Sequence, residues 1–274
     1  MTLADLRWII AILCLVPIVW IREKRIYPTR KSILPLILMG ATGVALFNIF
    51  QFISLNSTSA TNDGLISTLN PISIAIFSFF FWREKMGGLQ IGAMLLSFFG
   101  VILFLFNGDI ERLMEFNFNK GDLWMMAAVA MWGLYSVCGK WALQEVSPLM
   151  STLYSGIFGV LMLLPFNIPH FAIRNFNITF ISAILYVGIL STVMCMVFWN
   201  IGVQKVGATN AGMFLNLNPI FTAVFAFLFL GEKITWIQGF SAVIVILGCY
   251  FFSRFKSHFA VRLHDTSHSQ DAVE

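Results

Sequence analysis

The sequence predicts an all-α polytopic membrane protein made of two inverted helical repeats, and three observations carry that expectation. The first is composition: of 274 residues, 58% are hydrophobic and 11% charged, where soluble domains carry roughly a quarter charged residues. Mean hydropathy is +0.84. The second is segregation into nine apolar stretches, at about 3–21, 32–54, 63–82, 88–106, 121–143, 148–166, 179–201, 210–230 and 234–253. Each is near the roughly 20 residues with which an α-helix crosses ~30 Å of hydrocarbon. The third is a repeat at a constant offset of 148 positions. The alternating short segments of a membrane β-barrel are absent.

The first stretch is interrupted by Arg7, followed by the basic run "REKRIYPTRK", and lacks a small-residue cleavage site. It therefore reads as a retained span and not as a signal peptide. Placing the 22–31 loop in the cytoplasm and alternating from there puts Arg22, Lys24, Arg25, Arg30, Lys31, Arg83, Lys85, Lys140, Lys205, Arg254, Lys256 and Arg262 inside. Only Arg7, Arg112, Lys120, Arg174 and Lys233 fall outside. That asymmetry puts the C-terminus in the cytoplasm. The net charge of +4 thus sets orientation and is no signal for nucleic acid. Residues 255–274 read as a solvated disordered tail, with His258, His264 and His268 at spacings that suggest no metal site.

Both repeats contain "LNP", at 69–71 and 217–219, and "EK" follows each Asn by fourteen residues. Between 60–90 and 208–238, fifteen of thirty-one aligned positions are identical. The register also pairs Pro17 with Pro165, Gly40 with Gly188 and Gly100 with Gly248. Agreement of this extent without gaps is the mark of internal duplication. The step from one "LNP" helix to the next is five hydrophobic stretches, an odd number, so equivalent helices cross in opposite directions. Inverted repeats of this kind place a binding site near the midplane, at the repeat interface.

Taken together, these residues resemble the EamA-type family of the drug/metabolite transporter superfamily. The resemblance rests on "NP" in the fourth helix of each half, "REK" at 83–85 and "GEK" at 231–233, "WGLYSVCGKW" at 132–141 and "SPLMSTLYSG" at 147–156. It covers residues 1–254. It implies ten spans in two five-helix halves, in a bacterial cytoplasmic-membrane carrier that commonly exports amino acids or related metabolites. One departure is plain: the counterpart of helix 121–143 would lie before Met1. The expectation is therefore nine spans, with a first repeat at 1–106 lacking its first helix, an external linker at 107–120, a second repeat at 121–254 and the tail. An open flank would remain where the absent helix packs. Either a late start codon accounts for it, or a nine-helix variant fills the gap as a homodimer.

The expected substrate cavity is lined by Asn70, Trp132, Tyr135, Ser136, Lys140, Tyr154, Tyr186, Asn200, Asn216 and Asn218. Pro71 and Pro219 remove a backbone donor in the middle of an apolar run, which in lipid demands protein or cavity around the freed carbonyl; they line the cavity or merely bend the helix. Lys140 shares a helix stripe with Trp132 and Ser136, and it either contacts substrate or snorkels to the interface. Asp63 either complements the start of its helix or couples transport to protons. Asn200 and Gln204, with Asn48 and Gln51 in the related helix, add further polar atoms. Cys14, Cys138, Cys195 and Cys249 lie in four different stretches, giving no disulfide framework or zinc spacing. No H-E-x-x-H, G-x-S-x-G or charge ring is visible, which argues against an intramembrane enzyme or a channel. A tail of about twenty residues is too short for an output domain. A carrier for a small molecule, needing no cofactor, remains.

Overall fold

A computed structural model describes residues 2–24, 27–109, 118–167 and 177–255, and among these there are helices and turns but no strand. Eight helices are long and apolar enough to cross a membrane: α1 (Thr2–Glu23), α2 (Arg30–Leu55), α3 (Asn62–Trp82), α4 (Gly88–Phe106), α6 (Pro148–Asn167), α7 (Ile178–Val206), α8 (Ala208–Leu230) and α9 (Trp236–Arg254). Between α4 and α6 runs α5 (Lys120–Ala142), 23 residues long, with Lys120, Asp122 and Lys140 at its ends. The expected nine helices are thus present among the described residues. Arg25, Arg112 and Arg174, positions 110–117 of the expected linker, and the tail from residue 256 lie outside the described residues.

The chain divides into two compact units, one of residues 1–77 and 118–211 and the other of 78–117 and 212–274. Each unit draws on both sequence repeats. In the first, α1, α2, α5, α6 and α7 surround a core of Trp8, Leu15, Leu36, Met39, Tyr135, Leu153 and Val197. The α1 face is a helical stripe of Ala4, Trp8, Ala11, Leu15 and Val19, as a packed amphipathic period requires. Ser147 donates to the Glu23 carboxylate, tying the end of α1 to the start of α6.

Close approach in both units follows the repeat. A Cβ on Gly40 would lie 2.8 Å from the Ser155 carbonyl oxygen, and one on Gly188 would lie 3.4 Å from that of Arg7. Arg7 and Ser155 are themselves repeat mates. In the second unit α4 crosses α9 in the same reciprocal way: a Cβ on Gly100 would meet the Val245 nitrogen at 3.0 Å, and one on Gly248 the Ser97 nitrogen at 2.7 Å. Ser97 and Val245 are mates too. Small residues let membrane helices pack backbone to backbone where no hydrophobic drive exists between apolar chains.

Two local features were not expected. Residues Gly40–Leu46 of α2 and Tyr186–Met194 of α7 are π-helical, at matching places in the two repeats. The Thr192 hydroxyl donates to the Val187 carbonyl at 2.9 Å, five residues back, as the wider turn permits. The "LNP" segments are also interrupted more fully than a bend. Helix Ala60–Ser67 ends in a turn and restarts at Asn70, while Phe214–Leu217 tightens to a 3-10 turn before Asn218–Leu230 begins. Pro71 and Pro219 thus stand in the first turn of a new segment, where a missing N–H costs least.

Candidate functional site

The candidate site lies in the first unit and is organised by Asn200. This residue is fully buried on α7. Its amide Nδ2 donates to Thr152 Oγ1 at 2.9 Å, and its Oδ1 accepts from Tyr135 Oη at 3.4 Å. One carboxamide therefore joins α5, α6 and α7. The hydroxyls around it turn inward onto their own helices. Thr152 donates to the Pro148 carbonyl at 2.8 Å, Ser155 to that of Thr152 at 3.1 Å, and Ser136 to that of Trp132 at 2.8 Å. Such back-bonding satisfies a hydroxyl in an apolar helix without a partner elsewhere.

Beside this hub stands an aromatic wall. The Trp132 ring stacks on Tyr135 with centroids 5.2 Å apart, and lies 5.5 Å from Trp199 and 5.4 Å from Phe47. The indole Nε1 atoms of Trp132 and Trp199 are both buried with no acceptor in reach. An indole nitrogen can only donate, and leaving a buried donor unmet costs on the order of 1–3 kcal/mol. Two unmet donors on adjoining rings are what a ligand carrying carbonyl or carboxylate oxygens would satisfy.

The structure brings together Trp132, Tyr135, Ser136 and Asn200 of the expected set. Tyr154 is half-buried on α6, its ring 6.2 Å from Phe158. Lys140 is half-buried in the last turn of α5, one turn beyond Ser136. Asn70 keeps a buried Oδ1 without a partner. One turn on, Ser73 donates to the Val129 carbonyl at 2.9 Å and holds α3 against α5. Tyr186 stands apart, 63% exposed. Asn216 and Asn218 belong to the second unit. There the Asn216 amide donates to Ser97 Oγ at 3.0 Å while its Oδ1 stays unpartnered, and Asn218 is exposed.

A second polar cluster joins the ends of α2, α3 and α5. Asp122, fully buried, accepts from Thr58 Oγ1 at 2.5 Å, from the backbone N–H of Asn119 at 2.8 Å and from Asn62 Nδ2 at 3.4 Å. Asp63 accepts from Ser54 at 3.3 Å. The α3 start is capped by Ser59, which accepts from the Asn62 nitrogen at 3.1 Å, so Asp63 stands in the first turn without being the cap. The sequence reading passed over Thr152 and Asp122. Thr152 is a lone hydroxyl in an apolar helix, and nothing local distinguishes it. Asp122 follows Asn119 at capping-box spacing, a signal that was there to be read.

The sequence model of the EamA-like transporter family matches residues 1–106 and 119–254. The chain belongs to the EamA-like transporter family. This EamA-like chain is 31% identical over 222 residues to YyaM, an uncharacterized transporter of Bacillus subtilis, across 80% of the chain and 72% of that protein. It is 29% identical to an uncharacterized transporter of Archaeoglobus fulgidus, covering 84% of the chain and 80% of that protein. YetK, another uncharacterized transporter of B. subtilis, is 27% identical over 90% of the chain and 76% of its own length. A solved crystal structure superimposes with a TM-score of 0.77 over 92% of this chain and 88% of the other, at 16% identity. That likeness concerns the fold. The EamA-like chain is a multi-pass membrane transporter.

Proposed function

We propose that this transporter is a secondary carrier that exports amino acids or related small metabolites across a bacterial cytoplasmic membrane by alternating access, with its C-terminus inside. The observation that carries the reading is the pair of unmet indole donors at Trp132 and Trp199 beside the Asn200 hub. It provides flat aromatic surface and directional donors, the mix by which small-molecule sites fix an orientation. The reciprocal glycine contacts at Gly40 and Gly188 support alternating access, because two halves of like construction can exchange conformations. Asp63, bonded to Ser54, is the proton-coupling group in this reading. Export and the amino-acid class rest on kinship with the family.

The test uses inverted membrane vesicles carrying the full chain, supplied with labelled amino acids and an imposed pH gradient. Uptake above vesicles lacking the protein, and lost in Asn200→Ala, is the expected result. Uptake no greater than in those control vesicles for every amino acid would sink the substrate class.

A further inference from the structure

Arg7 lies in the second turn of α1, inside a helix apolar enough to span a membrane. Its Nη2 donates to Asn48 Oδ1 on α2 at 3.0 Å. Asn48 is itself buried, and its Nδ2 donates to the Val44 carbonyl at 2.7 Å. That bond fixes which end of the amide faces the guanidinium. The Arg7 Nε is buried and has no acceptor. Among the described residues no carboxylate pairs with Arg7. Asp5, two positions earlier, instead accepts from Asn167 on α6. Ala4, three residues before Arg7, belongs to an apolar cluster with Ala45, Leu163, Ile49 and Phe52. A guanidinium in such surroundings is costly unless something anionic meets it.

The pattern is also particular to one repeat. The mates of Arg7 and Asn48 are Ser155 and Met196, so this pair is no element of the duplicated scaffold, unlike the glycine crossings. Asn48 takes one Nη2 N–H and leaves the neighbouring Nε–H unmet. A guanidinium fork accepts planar oxyanions, whose two oxygens can take parallel N–H bonds.

We propose that Arg7, oriented by Asn48, is an anion site that binds a carboxylate or phosphate oxyanion, carried by a small solute or by a lipid headgroup. The site is built from other residues than the Asn200 hub and stands whether or not the amino-acid reading does.

The full chain is purified in a neutral detergent, and its unfolding temperature is followed against sodium phosphate and sodium acetate, with sodium chloride at equal ionic strength as reference. A parallel arm compares nanodiscs of phosphatidylcholine with nanodiscs containing phosphatidylglycerol. The expected result is a rise of about 3 °C at ten times Kd in one arm, absent in Arg7→Gln and shifted about tenfold to higher concentration in Arg7→Lys and Asn48→Ala. A rise with the soluble anions assigns the site to a solute, and a rise with phosphatidylglycerol alone assigns it to a lipid. If Arg7→Gln does not fold, Arg7→Lys decides, and a midpoint concentration equal to that of the unmodified chain overturns the site. No specific rise in any arm, or a rise that Arg7→Gln keeps, overturns it as well.

Discussion

The hydroxyl of Tyr135 donates to Oδ1 of Asn200 across 3.4 Å, and both residues are fully buried. One amide thereby fixes the mutual setting of three helices, since Asn200 also donates to Thr152. Polar pairs of this kind hold membrane helices together where apolar contacts cannot choose between registers.

Asn200→Ala removes one of two side-chain partners of the Tyr135 hydroxyl, leaving Ser155. It should lower stability by about 1 kcal/mol, the net worth of a typical hydrogen bond, and abolish transport. Thermal unfolding in detergent reads the first effect and vesicle uptake the second. Tyr135→Phe strands only one lone-pair site on Asn200 and should cost no more.

Trp132→Phe separates ligand binding from packing. The ring survives, while the unmet N–H is removed along with part of the ring area. Stability should stay within about 1 kcal/mol of the unmodified chain, because lost area and a relieved donor oppose each other. Transport should fall tenfold or more if that N–H reaches substrate. Unchanged uptake by a well-folded Trp132→Phe protein would take the indole out of the site.

The α4–α9 crossing gives a prediction about folding alone. Gly248→Ala would push a methyl to 2.7 Å from the Ser97 nitrogen and should destabilise by about 1–3 kcal/mol, as overpacking does. Gly92→Ala, on α4 with nothing within 4 Å of the added carbon, should be neutral or gain up to about 1 kcal/mol from helix propensity. Unfolding temperatures of the two variants, measured side by side, check the contrast.

Asp63 and Asp122 should part company under amidation. Asp122→Asn removes the carboxylate that gathers Thr58, Asn62 and Asn119, so its effect should be on stability. Asp63→Asn should leave the fold intact and flatten the dependence of transport on pH. If rate and pH profile both survive Asp63→Asn, proton coupling through this residue is wrong.

Much of the architecture was legible because hydrophobic length and an exact offset are written along the chain. The helices around Asn70 and Asn218, the paired Gly40 and Gly188, and the Trp132–Ser136 stripe all follow from those two signals. Other features depend on contacts between residues far apart in sequence. Nothing near Thr152 says that Asn200 will reach it, and nothing near Arg7 says that Asn48 will. The ring of Tyr186 suggested a cavity, but a tyrosine on a membrane helix is equally at home on the outer surface, and at 63% exposed it has no part in the Asn200 hub. The two units mix the repeats, since α3 and α8 each run from one into the other, and no composition change marks either passage.

The π-helical stretches share one more property. Gly40–Leu46 and the matching part of Tyr186–Met194 stand at the same offset, and the offset between repeats is unbroken on both sides of them. A π turn widens the ladder from i−4 to i−5 over a single turn. Each half therefore carries its one loosened turn at the same level of its corresponding helix, so a displacement that starts there has a counterpart built into the other half.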